Sequence, residues 1–195
     1  MIAAEDTILV LLAAGKSARF AGAESKLDAS VNGAPLGLHA AHTLSGLTFK
    51  ARVAIVRRCR IDYAAHGFEM VRNEDPVGDM ASSIRLGIRS AQRHGAAAVL
   101  IALADMPRLS AHHVQRLLAA ADGAHSVVAS ASAGSAPKPP ALFGSARFDE
   151  LLSLSGDHGA RDLIRAGRLV EAPAATLVDI DTHADLAALA AAPVP

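Results

Sequence analysis

The chain has 195 residues, and its 19 Lys plus Arg equal its 19 Asp plus Glu, so its formal net charge is zero. That length makes one domain the default and allows a large core, while the lack of a basic excess excludes a dedicated nucleic-acid or membrane-surface protein. Aromatic residues are few (five Phe, one Tyr, no Trp), which disfavours base recognition by stacking, and the single Cys59 excludes an intramolecular disulfide and fits a reducing compartment.

Strand and helix patterns alternate along the chain. Thr7–Leu12 is continuously apolar, as a strand buried on both faces must be. Pro35–Leu44 reads as a helix with Leu36, Ala40 and Leu44 on one face, followed by a strand over Lys50–Arg57. A short helix over Ile61–His66 and a short strand over Glu69–Arg72 come next. Ser82–Arg93 is a helix that turns Ile84, Ile88 and Ala91 inward, and Ala97–Leu103 is a very apolar strand. Ser110 is placed to N-cap a helix through Ala121, with His112 and His113 in its first turn. Ser126–Ser130 is a fifth strand, and Ser132–Pro140 is a loop rich in Gly, Ser and Pro. Helices over Arg147–Leu152 and Gly159–Ala166, strands over Leu169–Ala172 and Leu177–Ile180, and a helix over His183–Ala192 complete the chain. This alternation implies a three-layer α/β/α domain with a mostly parallel sheet, spanning residues 1–195. Ligands in such folds sit at the carboxyl ends of strands. No apolar run approaches the ~20 residues that span a bilayer, and Glu5 and Asp6 interrupt any signal-peptide layout, so a cytoplasmic location is expected.

Several stretches carry chemistry. The first strand runs into Leu12-Ala13-Ala14-Gly15-Lys16-Ser17-Ala18-Arg19, with Lys26 downstream. Small residues and cations after a strand suit phosphate. A Walker A motif would need glycine at position 10, which is Val10, and no Gly-x-Gly-x-x-Gly is present. Asp105, in Leu103-Ala104-Asp105-Met106-Pro107, follows a buried strand and offers a hard oxygen ligand for Mg²⁺. In Asp179-Ile180-Asp181-Thr182, strand alternation would set both carboxylates on one face. One could join Asp105 on a cation while the other caps the last helix. Asn73, Gly78, Ser82 and Ser83 lead into a helix whose N-terminus, with free N–H groups, favours an anion or a polar base edge. Gly156-Asp157-His158-Gly159-Ala160-Arg161 is a turn before a helix, and Arg161 suits phosphate or a carboxylate. Arg57, Arg58 and Arg60 flank Cys59 and could lower its pKa, although a plain loop thiol is the simpler reading.

Taken together these segments resemble the MobA/MocA-type nucleotidyltransferases of the GT-A-like, Rossmann-like nucleotide-diphospho-sugar transferase superfold. The resemblance runs from Ile8 to about Leu186 and is strongest to the molybdenum cofactor cytidylyltransferases. It rests on LAAG-x-S-x-R, the Asn/Pro/Gly/Ser-Ile segment, the Asp105-Met106-Pro107 turn, Pro140-Ala141-Leu142-Phe143, Gly156 to Arg161 and Asp179 to Asp185. The resemblance implies that Leu12, Ala13, Ala14, Gly15, Ser17, Asn73, Gly78, Ser82 and Ser83 bind the nucleotide. Arg19 and Lys26 would neutralise the triphosphate, with Asp105 as the third catalytic residue. Mg²⁺ would sit on Asp105 with Asp179 or Asp181. Lys138, Pro140, Asp157 and Arg161 would bind the acceptor. Alanine rather than glycine at position 14 favours CTP, and the implied acceptor is molybdopterin, with a molybdoenzyme as possible client. The Arg19–Lys26 spacing is longer than usual, and Ala136-Pro137-Lys138-Pro139 replaces the family's arginine-glycine segment. Alternatives are a guanylyltransferase, an enzyme for a sugar phosphate or phospholactate, and a non-catalytic nucleotide-binding maturation factor.

Overall fold

A computed structural model describes residues 2–15, 20, 25–157 and 159–191. At its centre lies β1 (Thr7–Ala13), all seven of whose residues are buried. Alternate side chains of β1 go to opposite faces: Leu9, Leu11 and Ala13 join one apolar cluster, and Ile8, Val10 and Leu12 join the other. A strand covered on both sides cannot alternate apolar with polar, which is why its sequence is continuously hydrophobic.

Six further strands complete the main sheet. They are β4 (Ala51–Val56), β5 (Glu69–Arg72), β6 (Ala98–Leu103), β7 (Val127–Ala131), β8 (Lys138–Gly144) and β9 (Arg168–Glu171), in the order β5-β4-β1-β6-β8-β7-β9. All neighbours are parallel except β8, which runs antiparallel to both β6 and β7. Helices α1 (Leu36–Ser45) and α3 (Ala111–Ala120) supply Leu44, Val114 and Leu117 to one face. The other face is covered by α2 (Met80–Arg93), α4 (Phe148–Leu152) and α5 (Arg161–Ala166), through Ile84, Ile88, Phe148 and Ile164. A final helix, α6 (His183–Ala191), packs Leu189 with Val31, Leu36 and Ile180.

The three-layer, mostly parallel architecture follows the sequence expectation, with three local differences. Residues 30–35 form a hairpin of β2 (Ser30–Val31) and β3 (Ala34–Pro35), turned by Asn32 and Gly33 at φ of 50° and 82°. Asn-Gly is a strong signal for such a turn. The expected loop over Ser132–Pro140 ends early, because β8 already begins at Lys138. The prolines at 139 and 140 conceal the strand, since proline cannot donate to a ladder. Leu177–Ile180 is not a strand: Ala174–Leu177 is a 3-10 turn, and Ile180 N–H donates to Asp105 O at 3.0 Å.

The chain leaves β1 toward β4 on one side of the sheet, while β6 flanks β1 on the other. That reversal opens a crevice at the carboxyl ends of β1 and β6. Leu12 and Leu103 are register partners there, and Ala104 N–H donates to Leu12 O at 3.1 Å. The turns carrying Ala14-Gly15 and Asp105 thus emerge side by side.

Candidate active site

Two cavities open at this crevice. The smaller, about 230 Å³, is lined by Ala14, Gly15, Lys26, Gly78, Ser83 and Asp105 among others. The larger, about 490 Å³, has an apolar floor that includes Ile84, Ile101 and Phe143, with Lys138, Arg161 and Asp179 also lining it. Leu12, Met80, Leu103 and Asp157 line both, so the two spaces adjoin.

Each cavity carries one lysine–aspartate pair. Lys26 follows the Ser25 cap of a 3-10 turn, where Ser25 Oγ accepts Leu27 N–H at 3.3 Å and Leu27 anchors the turn in the core. Lys26 Nζ reaches Asp105 Oδ2 at 2.7 Å and Asp181 Oδ1 at 2.8 Å. Lys138, at the start of β8, donates to Asp179 Oδ1 at 2.6 Å and to Leu177 O at 3.0 Å. The segment holding Asp179 and Asp181 is kept in place by the Ile180–Asp105 backbone bond and by Leu177 packed on the fully buried Met106.

The electrostatics follow from burial. Burial pushes the Asp105 carboxyl above its ordinary pKa, Lys26 opposes the shift, and Asp179 and Asp181 reinforce it. Burial works against the Lys26 ammonium, but Asp105 and Asp181 outweigh it and hold its pKa above the usual lysine value. Burial also acts on Asp179, yet its bond to Lys138 wins and keeps that carboxyl below the usual range.

The donor set fits a hard divalent cation. Asp105 Oδ1 is buried and has no hydrogen-bond partner among the described residues, which is costly for a carboxylate oxygen unless a cation can occupy its open side. Among the described residues no three His, Cys, Asp or Glu side chains form a metal cage. Mg²⁺ is commonly held by one or two carboxylates together with substrate phosphates. Alternation along a strand does not set Asp179 and Asp181, since no strand forms. One pairs with Lys138 and the other with Lys26. Nor does either cap α6. Thr182 Oγ1 accepts Asp185 N–H at 3.1 Å and Asp185 Oδ2 accepts Thr182 N–H at 2.8 Å, a reciprocal capping box.

The N-terminus of α2 is likewise already satisfied. Asp79 Oδ1 accepts Ser82 N–H at 2.7 Å, Asp157 Oδ1 accepts Met80 N–H at 3.3 Å, Gly156 O accepts Ala81 N–H at 3.2 Å, and Asp79 O accepts Ser83 N–H at 3.5 Å. The expected free N–H groups for an anion are therefore occupied by protein acceptors. The same bonds tie the turn at Gly156–Asp157 to α2. Asp79, which sequence reasoning missed, sits at this junction. Its signal was its place as N-cap, three residues ahead of the amide it accepts.

Other sequence-derived candidates divide by location. Gly78 and Ser83 line the smaller cavity; Asn73, Ser82 and Ala13 lie buried outside its lining. Gly78 is held at φ +55°, which favours glycine, and a Cβ there would displace the Arg57 guanidinium. Pro140 is buried, and its carbonyl accepts the Ser130 hydroxyl at 2.7 Å, whereas Pro139 lines the larger cavity. Arg161 is exposed on that cavity. Lys16, Ser17, Arg19 and His158 lie outside the described residues. Cys59 follows the simpler reading of a plain thiol: burial first, then Asp28, raises its pKa, so the neighbouring arginines do not activate it.

The mostly parallel sheet flanked by helices is that of the nucleotide-diphospho-sugar transferase fold, and its switch point opens two adjoining cavities beside an acidic corner. Residues 9–172 match the MobA-like NTP transferase domain; the chain belongs to that family and is a nucleotidyltransferase. It is 36% identical over 96 residues to the purine catabolism protein PucB of Bacillus subtilis (strain 168), a match covering 49% of this chain and 45% of PucB. The chain thus matches that relative over about half of its length. Among solved structures it resembles Mycobacterium tuberculosis H37Rv Rv0371c in complex with manganese, at a TM-score of 0.76, 20% identity and coverage of 95% and 98%. It also resembles CMP:2-keto-3-deoxy-manno-octonic acid synthetase complexed with CTP, at a TM-score of 0.72, 15% identity and coverage of 95% and 97%. Among the described residues no helix is long and apolar enough to cross a membrane.

Proposed function

We propose that the chain transfers CMP from CTP to the phosphate of molybdenum-bound molybdopterin in the cytoplasm, with Mg²⁺ as cofactor. The observation that carries this reading is the meeting of two cavities of unequal size beside Asp105. The smaller, with Ala14 in its wall, suits a pyrimidine nucleotide. The larger, with an apolar floor and Lys138 and Arg161 at its polar part, suits a heterocycle that carries a phosphate.

In the reaction an acceptor phosphate oxygen forms a bond to the α-phosphorus of CTP, the bond from that phosphorus to the β-bridging oxygen breaks, and pyrophosphate leaves. The acceptor is already anionic, so positioning and charge neutralisation matter more than a general base. Asp105, with Asp179 or Asp181, would hold Mg²⁺, which supplies Lewis-acid stabilisation of the phosphate oxygens. Lys26 neutralises the triphosphate side, and Arg161 and Lys138 orient the acceptor phosphate. The Leu12–Leu103 floor keeps both reacting groups at the carboxyl ends of β1 and β6. The manganese and CTP complexes of the two structural relatives support a divalent metal and a cytidine nucleotide in this fold.

The test is pyrophosphate release over CTP, GTP, ATP and UTP with Mg²⁺ and the molybdenum-loaded pterin. CTP-dependent release that requires the pterin is expected. Release only with GTP, or only with a sugar phosphate or phospholactate as acceptor, would replace the substrate assignment. A folded sample that binds nucleotide but releases nothing would overturn the transfer reaction.

A further inference from the structure

Asn73 is only 2% exposed and lies behind the wall of the smaller cavity. Its amide orientation is fixed by chemistry. Oδ1 accepts the backbone N–H of Asp75 at 3.1 Å, and a backbone nitrogen can only donate, so Nδ2 faces the serines. Nδ2 then donates to both Ser82 Oγ and Ser83 Oγ, each at 2.9 Å. Ser82 passes its own proton to Asp79 O at 2.8 Å. Ser83 is different. No protein group among the described residues accepts from its hydroxyl, it is 5% exposed, and it lines the cavity.

We infer that Asn73 is a positioning residue that sets the hydrogen-bond polarity of the nucleobase wall. One lone pair of Ser83 Oγ is taken by Asn73, and no described protein group accepts the hydroxyl proton, so that proton is left to serve an acceptor in the cavity. The wall then favours a base that presents an acceptor there, such as N3 of cytosine, and disfavours the N3–H of uracil. The inference rests on reading the smaller cavity as the nucleotide site. Selectivity of this kind is strong because a mismatched base leaves two like groups facing each other in a desolvated pocket.

The informative variant is Asn73→Asp. A carboxylate only accepts, so the Ser83 proton turns away from the cavity and lone pairs face the base. The expected result is a CTP-over-UTP ratio of kcat/KM reduced by at least about tenfold, mainly through KM for CTP, in a protein with a wild-type circular dichroism spectrum. Ser83→Ala should give a similar loss of selectivity, and Ser83→Thr, which retains the hydroxyl, should preserve it. Asn73→Asp made in the Ser83→Ala background should add little, because the effect passes through Ser83. Unchanged selectivity in Asn73→Asp, or the same further loss in the Ser83→Ala background, would overturn the inference and leave Asn73 a structural residue. Should Asn73→Asp not fold, the Ser83→Ala and Ser83→Thr pair decides whether the hydroxyl proton reads the base. If the wild type releases no pyrophosphate, the transfer reaction fails on its own, and calorimetric affinities for CTP and UTP in the same variants still decide the role of Asn73.

Discussion

Lys26 Nζ lies 2.7 Å from Asp105 Oδ2, and the lysine side chain is only 9% exposed. A lysine so placed holds its charge through the two carboxylates it bridges, and Asp105 in turn depends on it. Asp105→Ala removes one of those partners and leaves Asp181. The fold is therefore expected to survive with a loss of about 1–3 kcal/mol in urea unfolding. Pyrophosphate release should fall by about 10²–10³-fold or more, the scale for losing a charge-stabilising group in a transfer site. Equal losses in stability and activity, restored together by a stabilising osmolyte, would count against a catalytic role.

Lys26 also competes with a metal for the charge of the carboxylates Asp105 and Asp181. Lys26→Met is expected to tighten Mn²⁺ binding in the absence of nucleotide by about tenfold, equivalent to roughly 1.4 kcal/mol, as read by the free-Mn²⁺ signal in electron paramagnetic resonance. The same variant should weaken CTP turnover, because the triphosphate loses a neutralising cation. Weaker Mn²⁺ binding would mean that Lys26 organises the acidic corner instead of competing for it.

Gly87 lets α2 sit directly on β1. A Cβ at that position would stand 2.6 Å from Val10 Cγ1 and 3.2 Å from Cγ2, and Val10 is fully buried with a stiff β-branched side chain. Gly87→Ala gains about 1 kcal/mol of helix propensity but costs about 1–3 kcal/mol in overpacking. A net destabilisation near 1 kcal/mol by chemical denaturation is expected. Because α2 carries Ser83 into the smaller cavity, KM for the nucleotide should rise as well. Val10→Ala in the same chain should relieve the clash and recover part of both effects.

His113 gives the fold a dependence on pH. Ser130 Oγ donates to Pro140 O at 2.7 Å, so it must accept from His113 Nε2–H at 2.8 Å, and the other ring nitrogen, Nδ1, is left buried without a partner among the described residues. Burial, aided by Arg116 and His112, holds the His113 pKa below its ordinary value. The unfolded chain therefore binds the proton first. The stabilisation is complete above the unfolded value near 6.5 and is lost as pH falls through the folded one. Unfolding free energy measured from pH 7.5 to 5 should decline with a slope from this group of at most about 1.4 kcal/mol per pH unit. His113→Gln should flatten that part of the profile.

The central strands were legible because burial on both faces forces the runs Ile8–Leu12 and Ala98–Leu103 to be apolar. The helix α3 start was legible because Ser110 accepts the amide of His113, a local bond between residues three apart. The last strand was misread because Leu177–Ile180 has a strand's apolar content, while its docking depends on Met106 and Asp105, distant in sequence. For the same reason β8 stayed hidden: its prolines argue locally against a strand, and only pairing with β6 and β7 makes one.

From the sequence alone came the α/β alternation, the small-residue turn after β1, and the acidic positions at 105, 179 and 181, since each is written in local pattern and residue type. Tertiary structure decided which lysine meets which carboxylate, that the α2 amides are already satisfied, and that Asn73 stands behind Ser83. Those outcomes depend on side chains converging across long separations, such as the 155 residues between Lys26 and Asp181, and hydrogen-bond partners chosen at that range leave no periodic trace in the chain.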